Sequence, residues 1–559
     1  MTWSLAERTR SLDRLAHDSF DVVVIGGGIT GAGVLLDAAA RGLRVALVER
    51  SDFASGTSSR SSKLVHGGLR YLEQRDFRLV YEALAERQIL LRNAPHLVEA
   101  TPFLFPIFPT GDGPARKQAA QAMARTIGTA LWLYDATGGL RIGKRHHRVR
   151  ASKAAALFPA LDPARFAAAY LYYDARADDA RLTLAIAQTA VHRFGAPAVN
   201  YTAAVGLAKA HGRVTGVDLA DALSGHELRV RAPVVVNAAG VWSDDVRALD
   251  EAQHPESIRP AKGVHLTLPR AKLSVNVAAI LPVPGEKRSI FVIPWEDRVY
   301  VGTTDTDYDG PLDEPVCTAA EVDYLLASVN AWVRTPLGPA DVLSTWAGLR
   351  PLVRGAHSER TADLSRRHAV KVSGSGVITI TGGKLTTYRR MAADAVDASF
   401  DVLDRKAPRT PTKRLPLHGA EGADALQGPQ AARRLGVDET LLGHLVHRYG
   451  NQARSVARLA TEKADLAKPL VPGLPYLRAE AVYAARWEMA ATLEDVLARR
   501  TRALILDREG SARAAPEVAR LLAPELHWDD AETARQTEAF LGLVGRMRDA
   551  STHPSPAET

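Results

Sequence analysis

The hydrophobic pattern near the N-terminus predicts a strand–helix–strand unit. Phe20–Ile25 is a short β-branched run of the kind that forms buried strands. Glycines follow it, and Ile29–Arg41 is rich in Ala and Leu and stops at Gly42, which predicts a helix. Arg44–Val48 is apolar again and predicts a second strand. A βαβ unit of this kind indicates an α/β domain.

Further along the chain, apolar runs of strand type alternate with helical patterns. Val234–Asn237 and Val377–Thr381 have the composition of buried strands. Ile290–Pro294 and Val299–Thr304 predict two strands of a sheet separated by a polar turn. In Met489–Leu504 the apolar residues return with the 3.6-residue period of a helix. The sequence contains no visible internal repeat.

The composition changes in the last third of the chain. A cluster of prolines among basic residues predicts an exposed linker over residues 401–416. The pattern after the linker is helical, so we expect a helical C-terminal domain over residues 417–549. The last ten residues, 550–559, predict a disordered tail.

Composition and length place the chain among ordinary multidomain proteins. Its 559 residues suggest two or three domains, and 46% hydrophobic with 24% charged residues argues against disorder or a fibrous protein. The single cysteine, Cys317, excludes an intramolecular disulfide framework, a cysteine-based zinc finger and a cysteine-held iron–sulfur cluster, and it fits a reducing compartment. The histidines lack the spacing of a zinc-binding H-E-x-x-H motif, so no metal site is expected.

Net charge and hydropathy indicate where in the cell the protein is located, but they do not identify the molecules that it binds. The 71 basic and 63 acidic residues leave a net charge of +8, a mild excess that selects no class of ligand. No apolar run reaches the roughly 20 residues of a membrane span. The charged N-terminus has no apolar core of a signal peptide. We therefore expect an intracellular protein that is at most peripheral to a membrane.

The residues between the two predicted strands form a dinucleotide-binding motif. Gly26 to Gly31 reads G-G-G-I-T-G and fits G-x-G-x-x-G. Gly26 allows a tight turn, Gly28 allows the backbone to approach a pyrophosphate, and Gly31 allows close packing of helix on strand. Glu49, at the end of the second strand, is placed to accept hydrogen bonds from ribose hydroxyls and would repel a 2′-phosphate, which disfavours NADP. The motif alone does not separate FAD from NAD.

The next stretch carries a resemblance to a known family. Ser55–Tyr71, which reads SGTSSRSSKLVHGGLRY, resembles the signature of FAD-dependent glycerol-3-phosphate dehydrogenases. The likeness runs in order from about Asp21 to Asp507. Further matching blocks are residues 77–80, 90–96, 261–265, 291–295, 302–305, 348–352, 382–388 and 476–480.

This resemblance implies a fold and a reaction. The fold would be that of glutathione-reductase-type flavoproteins: a Rossmann-like FAD-binding domain, a substrate domain on a mixed or antiparallel sheet, and a helical C-terminal domain. In the reaction, sn-glycerol 3-phosphate would be oxidised to dihydroxyacetone phosphate, FAD would take the hydride, and a membrane quinone would reoxidise the flavin. Within an oxidoreductase region of residues 18–400, the FAD-binding segments would be about 18–75, 175–260 and 345–400, and the substrate-domain segments about 76–174 and 261–344.

The resemblance also assigns residues to the cofactor. Short hydroxyl side chains after Glu49 suit a wrap around pyrophosphate and flavin. The small residues of Asn237–Trp242 end a buried strand, where a second cofactor contact is expected. The implied cofactor-binding residues are Gly26, Gly28, Gly31, Glu49, Thr57, Ser58, Ser62, Lys63, Leu64, Gly67, Val205, Ala239, Gly240, Gly383, Lys384, Leu385 and Thr386.

Catalysis and substrate binding need a base and several cations. Either His66 or His265 would take the proton of the C2 hydroxyl, and the sequence does not rank them. The substrate phosphate, near −2 at neutral pH, must meet at least two cationic groups if it is buried. We assign Arg350 to the catalytic residues, together with His66 and His265. The implied substrate-binding residues are Arg70, Tyr71, Arg366 (with Arg367 as a rival), Lys384 and Thr386.

Partners and alternative functions remain open at this point. The basic run Arg141–Arg150 is either a solvated loop or a surface that docks on anionic lipids, and the second option predicts a cytoplasmic protein on the inner face of the cell membrane. A homodimer is left open. No nucleic-acid partner is expected, since no RNA-reading motif is present. The alternatives are an oxidase that uses oxygen, an amine oxidase on the same fold, and a non-catalytic flavin- or nucleic-acid-binding protein.

Overall fold

The computed structural model describes residues 2–69, 76–109, 113–251, 253–354 and 368–552. Within these ranges the chain forms a six-stranded sheet, a three-stranded sheet and a ten-stranded sheet, followed by a helical C-terminal part.

The six-stranded sheet contains the predicted βαβ unit. Val22–Ile25 and Val45–Val48 pair in parallel and are connected by the helix Ile29–Ala40. The strands are continuous runs of buried apolar residues because both faces of the sheet are covered. The spatial order of its strands is Ala369–Val372, Val377–Thr381, Val234–Asn237, Val22–Ile25, Val45–Val48 and Ala198–Val199. All neighbouring strands are parallel except the first two, which are antiparallel.

Two different layers cover this sheet. Val22 and Val24 pack with the helices on one face, whereas Val23 and Ile25 belong to the cluster on the other face. The second face is covered by the helix Leu5–His17 and by the three-stranded antiparallel sheet. That small sheet consists, in spatial order, of Glu227–Arg231, Arg213–Asp221 and Thr202–Ala210.

The ten-stranded sheet is mixed, as expected for the substrate domain. Its pairs are antiparallel except that between Ala278–Pro282 and Val98–Ile107. Eight strands follow one path in this order: Thr306–Asp307, Ile258–Pro269, Arg298–Gly302, Ser289–Trp295, Ala278–Pro282, Val98–Ile107, Ala168–Ala177 and Leu64–Val65. The remaining two are Ser344–Val353, which pairs with Ile258–Pro269, and His147–Val149, which pairs with Ala168–Ala177.

Two of these strands differ from the segment boundaries expected from the sequence. Leu64–Val65 and Ser344–Val353 had been assigned to the FAD-binding segments, but both pair within the ten-stranded sheet. Ser344–Val353 pairs with Ile258–Pro269 along its whole length, and such a continuous ladder cannot be read from local composition. The consequence is that Arg350 is carried by the ten-stranded sheet.

The helices before the linker pack on the sheets and on one another. Ile29–Ala40 lies between Asp179–Phe194 and Tyr388–Val402. The bounds of the helices in this part are Leu5–His17, Ile29–Ala40, Phe77–Asn93, Gly113–Ala136, Ala151–Leu157, Asp179–Phe194, Ser243–Glu251, Ala319–Asn330 and Tyr388–Val402.

Most of residues 401–416 are exposed, as predicted, but the last part of this linker is docked. The Thr412 hydroxyl donates to Asp37 Oδ1 at 3.1 Å, and the Thr410 hydroxyl donates to the same oxygen. Leu415 is buried in the core of the nucleotide-binding part. These contacts join residues more than 350 positions apart, so the proline-rich composition gave no sign of them.

The C-terminal part is helical as predicted, but one of its helices differs in detail. Met489 has a left-handed backbone, and a π-helix over Asp495–Arg500 stands where the periodicity predicted one continuous helix. The last helix continues through Thr552, so a tail beginning at residue 550 is predicted too early, and residues 553–559 lie outside the described ranges. The helices are Gly428–Leu435, Glu439–Tyr449, Ala453–Glu462, Arg478–Trp487, Asp495–Arg500, Ala503–Leu506, Arg508–Leu526 and Asp530–Thr552.

Hydropathy adds one observation about these helices. None of those in the described ranges combines the length and the apolar character that crossing a bilayer requires.

Candidate active site

A cavity of about 1100 Å³ lies where the six-stranded sheet meets the ten-stranded sheet. The carboxyl ends of Val22–Ile25, Val45–Val48 and Val234–Asn237 open into it, as in the ligand sites of other open parallel sheets. Ile258–Pro269 and Ser344–Val353 form the opposite wall. The predicted site residues that line it are Gly26, Gly28, Glu49, Thr57, Ser58, Ser62, Leu64, His66, Ala239, Gly240, His265, Arg350, Gly383, Lys384, Leu385 and Thr386.

The glycine loop has the geometry that a dinucleotide needs. Gly26 has a φ of +112°, a conformation that L side chains rarely adopt. A Cβ on Gly31 would overlap the Gly26 carbonyl oxygen, so the close packing of helix on strand requires glycine there. The N-terminus of the helix Ile29–Ala40 opens into the cavity, where its backbone N–H groups suit a pyrophosphate. The Ile29 N–H already donates to Ser58 Oγ at 2.9 Å and ties the two loops together.

Glu49 is fixed at the position expected for ribose recognition. Its carboxylate accepts from the Gly27 N–H at 2.5 Å and from the Ser51 N–H at 2.9 Å. Burial raises its pKa, and the two backbone hydrogen bonds oppose that shift. Nearby, the Arg50 guanidinium lies over the Trp242 ring, 4.5 Å from its centroid. This end of the cavity therefore fits the nucleotide half of a dinucleotide cofactor.

His265 is rigidly held at the other end of the cavity. Its Nε2 lies 2.8 Å from Ser62 Oγ, and its ring stacks on Trp346 with centroids 4.7 Å apart. Burial lowers the pKa of His265 well below its usual value, and the charges of Lys63 and Arg350 act in the same direction. His265 is therefore a neutral imidazole whose orientation is fixed by Ser62 and Trp346.

Arg350 provides a positive group on the cavity wall. Its Nη1 pairs with Asp305 Oδ1 at 2.9 Å, and its Nη2 donates to the Thr304 carbonyl at 3.2 Å. A Cβ on Gly263 would lie only 2.6 Å from Nη2, so glycine at that position makes room for the guanidinium. The Arg350 side chain keeps 24% exposure, which leaves it able to meet an anion in the cavity.

His66 and Thr386 lie far apart in the chain but contact each other where they line the cavity. The His66 N–H donates to Thr386 Oγ1 at 3.2 Å, and the Thr386 hydroxyl lies 3.4 Å from the His66 carbonyl. The His66 ring contacts Phe291 edge-on at 6.4 Å. Lys384 lines the same region, directly after the glycine pair of the 382–388 block. Two histidines, His66 and His265, and two cations, Arg350 and Lys384, thus line the same cavity.

Four residues assigned to the cofactor do not line the cavity. Lys63 is buried, and its Nζ lies 3.3 Å from Asp179. Burial lowers the pKa of Lys63 to about 8, and the Asp179 carboxylate opposes that shift, so the ion pair gives Lys63 a structural role. The Gly67 N–H donates to Tyr134 Oη at 2.9 Å. The Val205 side chain is 49% exposed and points away, whereas its neighbours Ala203 and Ala204 line the cavity. Gly31 acts through the packing described above.

Other assignments lie outside the described residues. These are the substrate-binding candidates Arg70, Tyr71 and Arg366, together with the rival Arg367. Among the residues that are described, no group of three or more His, Cys, Asp and Glu side chains is arranged to hold a metal ion.

The structure also adds residues that the sequence reasoning missed. Asp305 orients Arg350, Trp346 stacks on His265, and Arg50 with Trp242 lies at the nucleotide end. Asp305 ended one of the family-like blocks, which was an available signal for it. Trp346 had no local signal, because its role depends on a strand pairing in which it faces His265.

Comparison with known proteins agrees with this arrangement. Residues 21–389 match a family described as FAD dependent oxidoreductase, and residues 410–533 match the C-terminal domain of alpha-glycerophosphate oxidase. Glycerol-3-phosphate dehydrogenase 2 of Mycobacterium tuberculosis is 43% identical over 543 residues, which cover 96% of this chain and 90% of that protein. The mitochondrial glycerol-3-phosphate dehydrogenase of Homo sapiens is 36% identical over 538 residues, which cover 93% and 72%.

A solved structure extends the likeness to the fold. The glycerol-3-phosphate dehydrogenase from Bacillus halodurans, complexed with FAD, is 32% identical to this chain, with a TM-score of 0.79 and 99% of both chains covered. The fold class and the FAD cofactor predicted from the sequence are thereby confirmed. The chain belongs to the family of FAD-dependent glycerol-3-phosphate dehydrogenases.

Proposed function

We propose that this enzyme oxidises sn-glycerol 3-phosphate to dihydroxyacetone phosphate and passes the electrons to a membrane quinone. The observation that carries the proposal is a single cavity that joins the glycine loop to a pocket containing His66, His265, Arg350 and Lys384. When bound, FAD supplies an acceptor for the hydride that leaves C2 of the substrate. The chain's own residues bind the phosphate, orient C2 and remove the hydroxyl proton.

Among the described cations that line the cavity, we assign Arg350 and Lys384 to the phosphate. Arg350 is held by Asp305 and by the Thr304 carbonyl, so it meets the substrate with little loss of side-chain freedom. Each charge-assisted contact to the phosphate stabilises the complex by about 1.5–3 kcal/mol. An amine substrate carries no such anion, which favours a phosphorylated polyol over an amine.

For proton removal we favour His66 over His265. A base must become positively charged in the step, and burial beside Lys63 and Arg350 disfavours that form of His265. His66 is only half-buried and lines the cavity. His265, stacked on Trp346 and paired with Ser62, is better suited to orient the substrate hydroxyl.

Substitution of the two cations tests the proposed phosphate contacts. Arg350→Met and Lys384→Met should keep FAD but lower kcat/KM for glycerol 3-phosphate by about 10- to 100-fold each, as expected from lost charge-assisted contacts. Anaerobic flavin reduction by substrate measures the effect. Arg354→Met, four residues along the chain and 59% exposed, is the matched control and should reduce at the wild-type rate. Full reduction by Arg350→Met would refute its assigned role.

The membrane part of the proposal rests on exposed apolar and basic side chains between residues 77 and 150. Phe77, Tyr81, Met123 and Trp132 are large apolar side chains with 43–59% exposure. The Arg141 guanidinium lies over the Tyr81 ring, 4.7 Å from its centroid. The other basic residues of the run are exposed as well: Lys144, Arg145, Arg148 and Arg150. Apolar side chains beside cations are what an anionic lipid surface attracts, at about 1 kcal/mol per cation.

Vesicle binding tests whether these exposed side chains dock on anionic lipids. The protein should sediment with phosphatidylglycerol vesicles and much less with phosphatidylcholine vesicles. Replacing Arg145 and Arg148 by Gln should weaken binding several-fold while leaving flavin reduction by the substrate intact. Equal sedimentation of wild type and this variant would refute the proposed docking of these residues on lipid.

The acceptor is tested separately from the substrate. Flavin reduced anaerobically by glycerol 3-phosphate should be reoxidised much faster by a short-chain ubiquinone analogue than by oxygen in a stopped-flow experiment. The opposite order would identify the protein as an oxidase and leave the proposed substrate unaffected.

A further inference from the structure

A buried carboxylate connects the C-terminal part to the cofactor loops. Asp52 follows Glu49 by three residues and is 1% exposed. Arg500 donates to both of its oxygens, through Nη1 at 2.5 Å and Nη2 at 2.8 Å, and Arg499 donates through Nε at 2.6 Å. Burial would raise the pKa of Asp52, but the two arginines hold it below its usual value, so the carboxylate stays charged inside the protein.

This ion-pair cluster is unusual in its placement. The two arginines lie at the end of the π-helix, an irregular turn that is common at functional sites. Arg500 also donates to the Glu488 carbonyl, and Arg499 pairs with Asp495. A buried charge cluster contributes little net stability compared with apolar packing, so its position calls for another explanation.

The residues after Asp52 lead directly to the glycine loop. The Ala54 N–H donates to the Gly27 carbonyl at 3.1 Å. A Cβ on Gly27 would lie 2.9 Å from the Phe53 ring, which shows how closely that ring covers the loop. On the other side of Asp52, the Ser51 N–H donates to the Glu49 carboxylate. The glycine loop and the ribose-binding acid are thus both fixed by the segment that Asp52 anchors.

A second set of contacts joins the same elements. Asn200 Nδ2 donates to Asp52 Oδ1 at 3.2 Å and to the Met489 carbonyl at 3.0 Å. The Tyr201 hydroxyl donates to Asp495 at 2.7 Å, while its N–H donates to the Ser51 carbonyl at 2.7 Å. Asn200 and Tyr201 therefore also connect the C-terminal part to the segment that contains Asp52.

We propose that the C-terminal domain positions the FAD nucleotide site, with Arg499 and Arg500 acting through Asp52 on the glycine loop and Glu49. The proposal rests on FAD as cofactor and does not depend on the identity of the substrate or acceptor. It predicts that docking of the C-terminal segment and binding of FAD favour each other, because coupling between two sites is reciprocal.

Dissociation of FAD from the holoenzyme tests this coupling. After dilution of the Arg500→Met and Asp52→Asn variants, flavin fluorescence should rise about tenfold faster than in wild type, which is within the usual range of coupling between sites. Arg181→Met is the matched control, since Arg181 joins the same two parts through Glu488 at 2.6 Å but does not contact Asp52 or the cavity. The control should lose thermal stability and retain FAD as wild type does.

The wild-type protein provides a second readout that does not depend on folding of the variants. Amide hydrogen exchange of residues 488–502 should slow when FAD is added to the FAD-free protein. If Arg181→Met released FAD as fast as Arg500→Met, or if exchange in this segment did not respond to FAD, the C-terminal domain would have no positioning role.

Discussion

At His265 three effects act in the same direction. Burial, Lys63 and Arg350 all lower the pKa of the imidazole, while Ser62 fixes its Nε2. A histidine in such an environment keeps one protonation state across the physiological range. At the residue scale, the cavity thus contains two different imidazoles. His265 is neutral and held in one orientation, whereas His66 is more accessible.

The two histidines are distinguished by how much their substitution slows the reaction. His66→Gln should slow anaerobic flavin reduction by about 10²- to 10⁴-fold, because the base is removed. His265→Gln should slow the reaction less, because the base remains. Stopped-flow reduction measures both rates. A larger loss of rate in His265→Gln than in His66→Gln would exchange the two roles.

At the scale of elements, the sequence predicted the structures that depend on contacts between residues close together in the chain. The βαβ unit, the glycine loop and Glu49 could be found in the sequence because strand, turn and helix signals are contiguous there. Arg499 pairs with Asp495 on its own helix, but Arg499 and Arg500 also pair with Asp52, which lies 447 residues before Arg499. Pairing over such a separation, and the π-helix that accompanies it, has no local signature.

The docking of the linker lacks a local signature for the same reason, and it is testable. Thr412→Val keeps the shape of the side chain but removes the hydrogen bond to buried Asp37. We expect the free energy of unfolding to fall by about 1–2 kcal/mol. Thermal unfolding compares this variant with Thr126→Val, an exposed position on the helix Gly113–Ala136 that should change little. Equal stability of both variants would mean that the linker is not docked as described.

At the scale of the whole molecule, the C-terminal helices and the nucleotide-binding part share buried charges. Arg500 reaches Asp52, and Arg502 pairs with Asp178 and Asp179. Each arginine comes from the C-terminal side and each carboxylate from the other side. Such pairs are costly to break singly, so the two parts should unfold together.

Two histidines at this boundary predict how stability depends on pH. Burial lowers the pKa of His192 and of His418 to about 4, below the value of 6.5 for the unfolded chain. The unfolded chain therefore takes up protons below pH 6.5 that the folded protein does not. Stability is complete above pH 6.5 and falls as the pH approaches 4, by at most about 1.4 kcal/mol per pH unit for each histidine.

Thermal unfolding at neutral and acidic pH measures this loss. A variant with His192→Gln and His418→Gln should lose less stability on acidification than the wild type. An equal loss in both proteins would place the acid sensitivity elsewhere.

The central claim is that bound flavin and a phosphorylated polyol meet in one cavity. Anaerobic addition of sn-glycerol 3-phosphate to the FAD-loaded protein, followed at the visible flavin maximum, tests it most directly. We predict bleaching of the flavin with an equal amount of dihydroxyacetone phosphate formed, and no bleaching with glycerol or glycine. A fully loaded protein that stays oxidised with glycerol 3-phosphate, or that bleaches equally with glycerol, would contradict the claim.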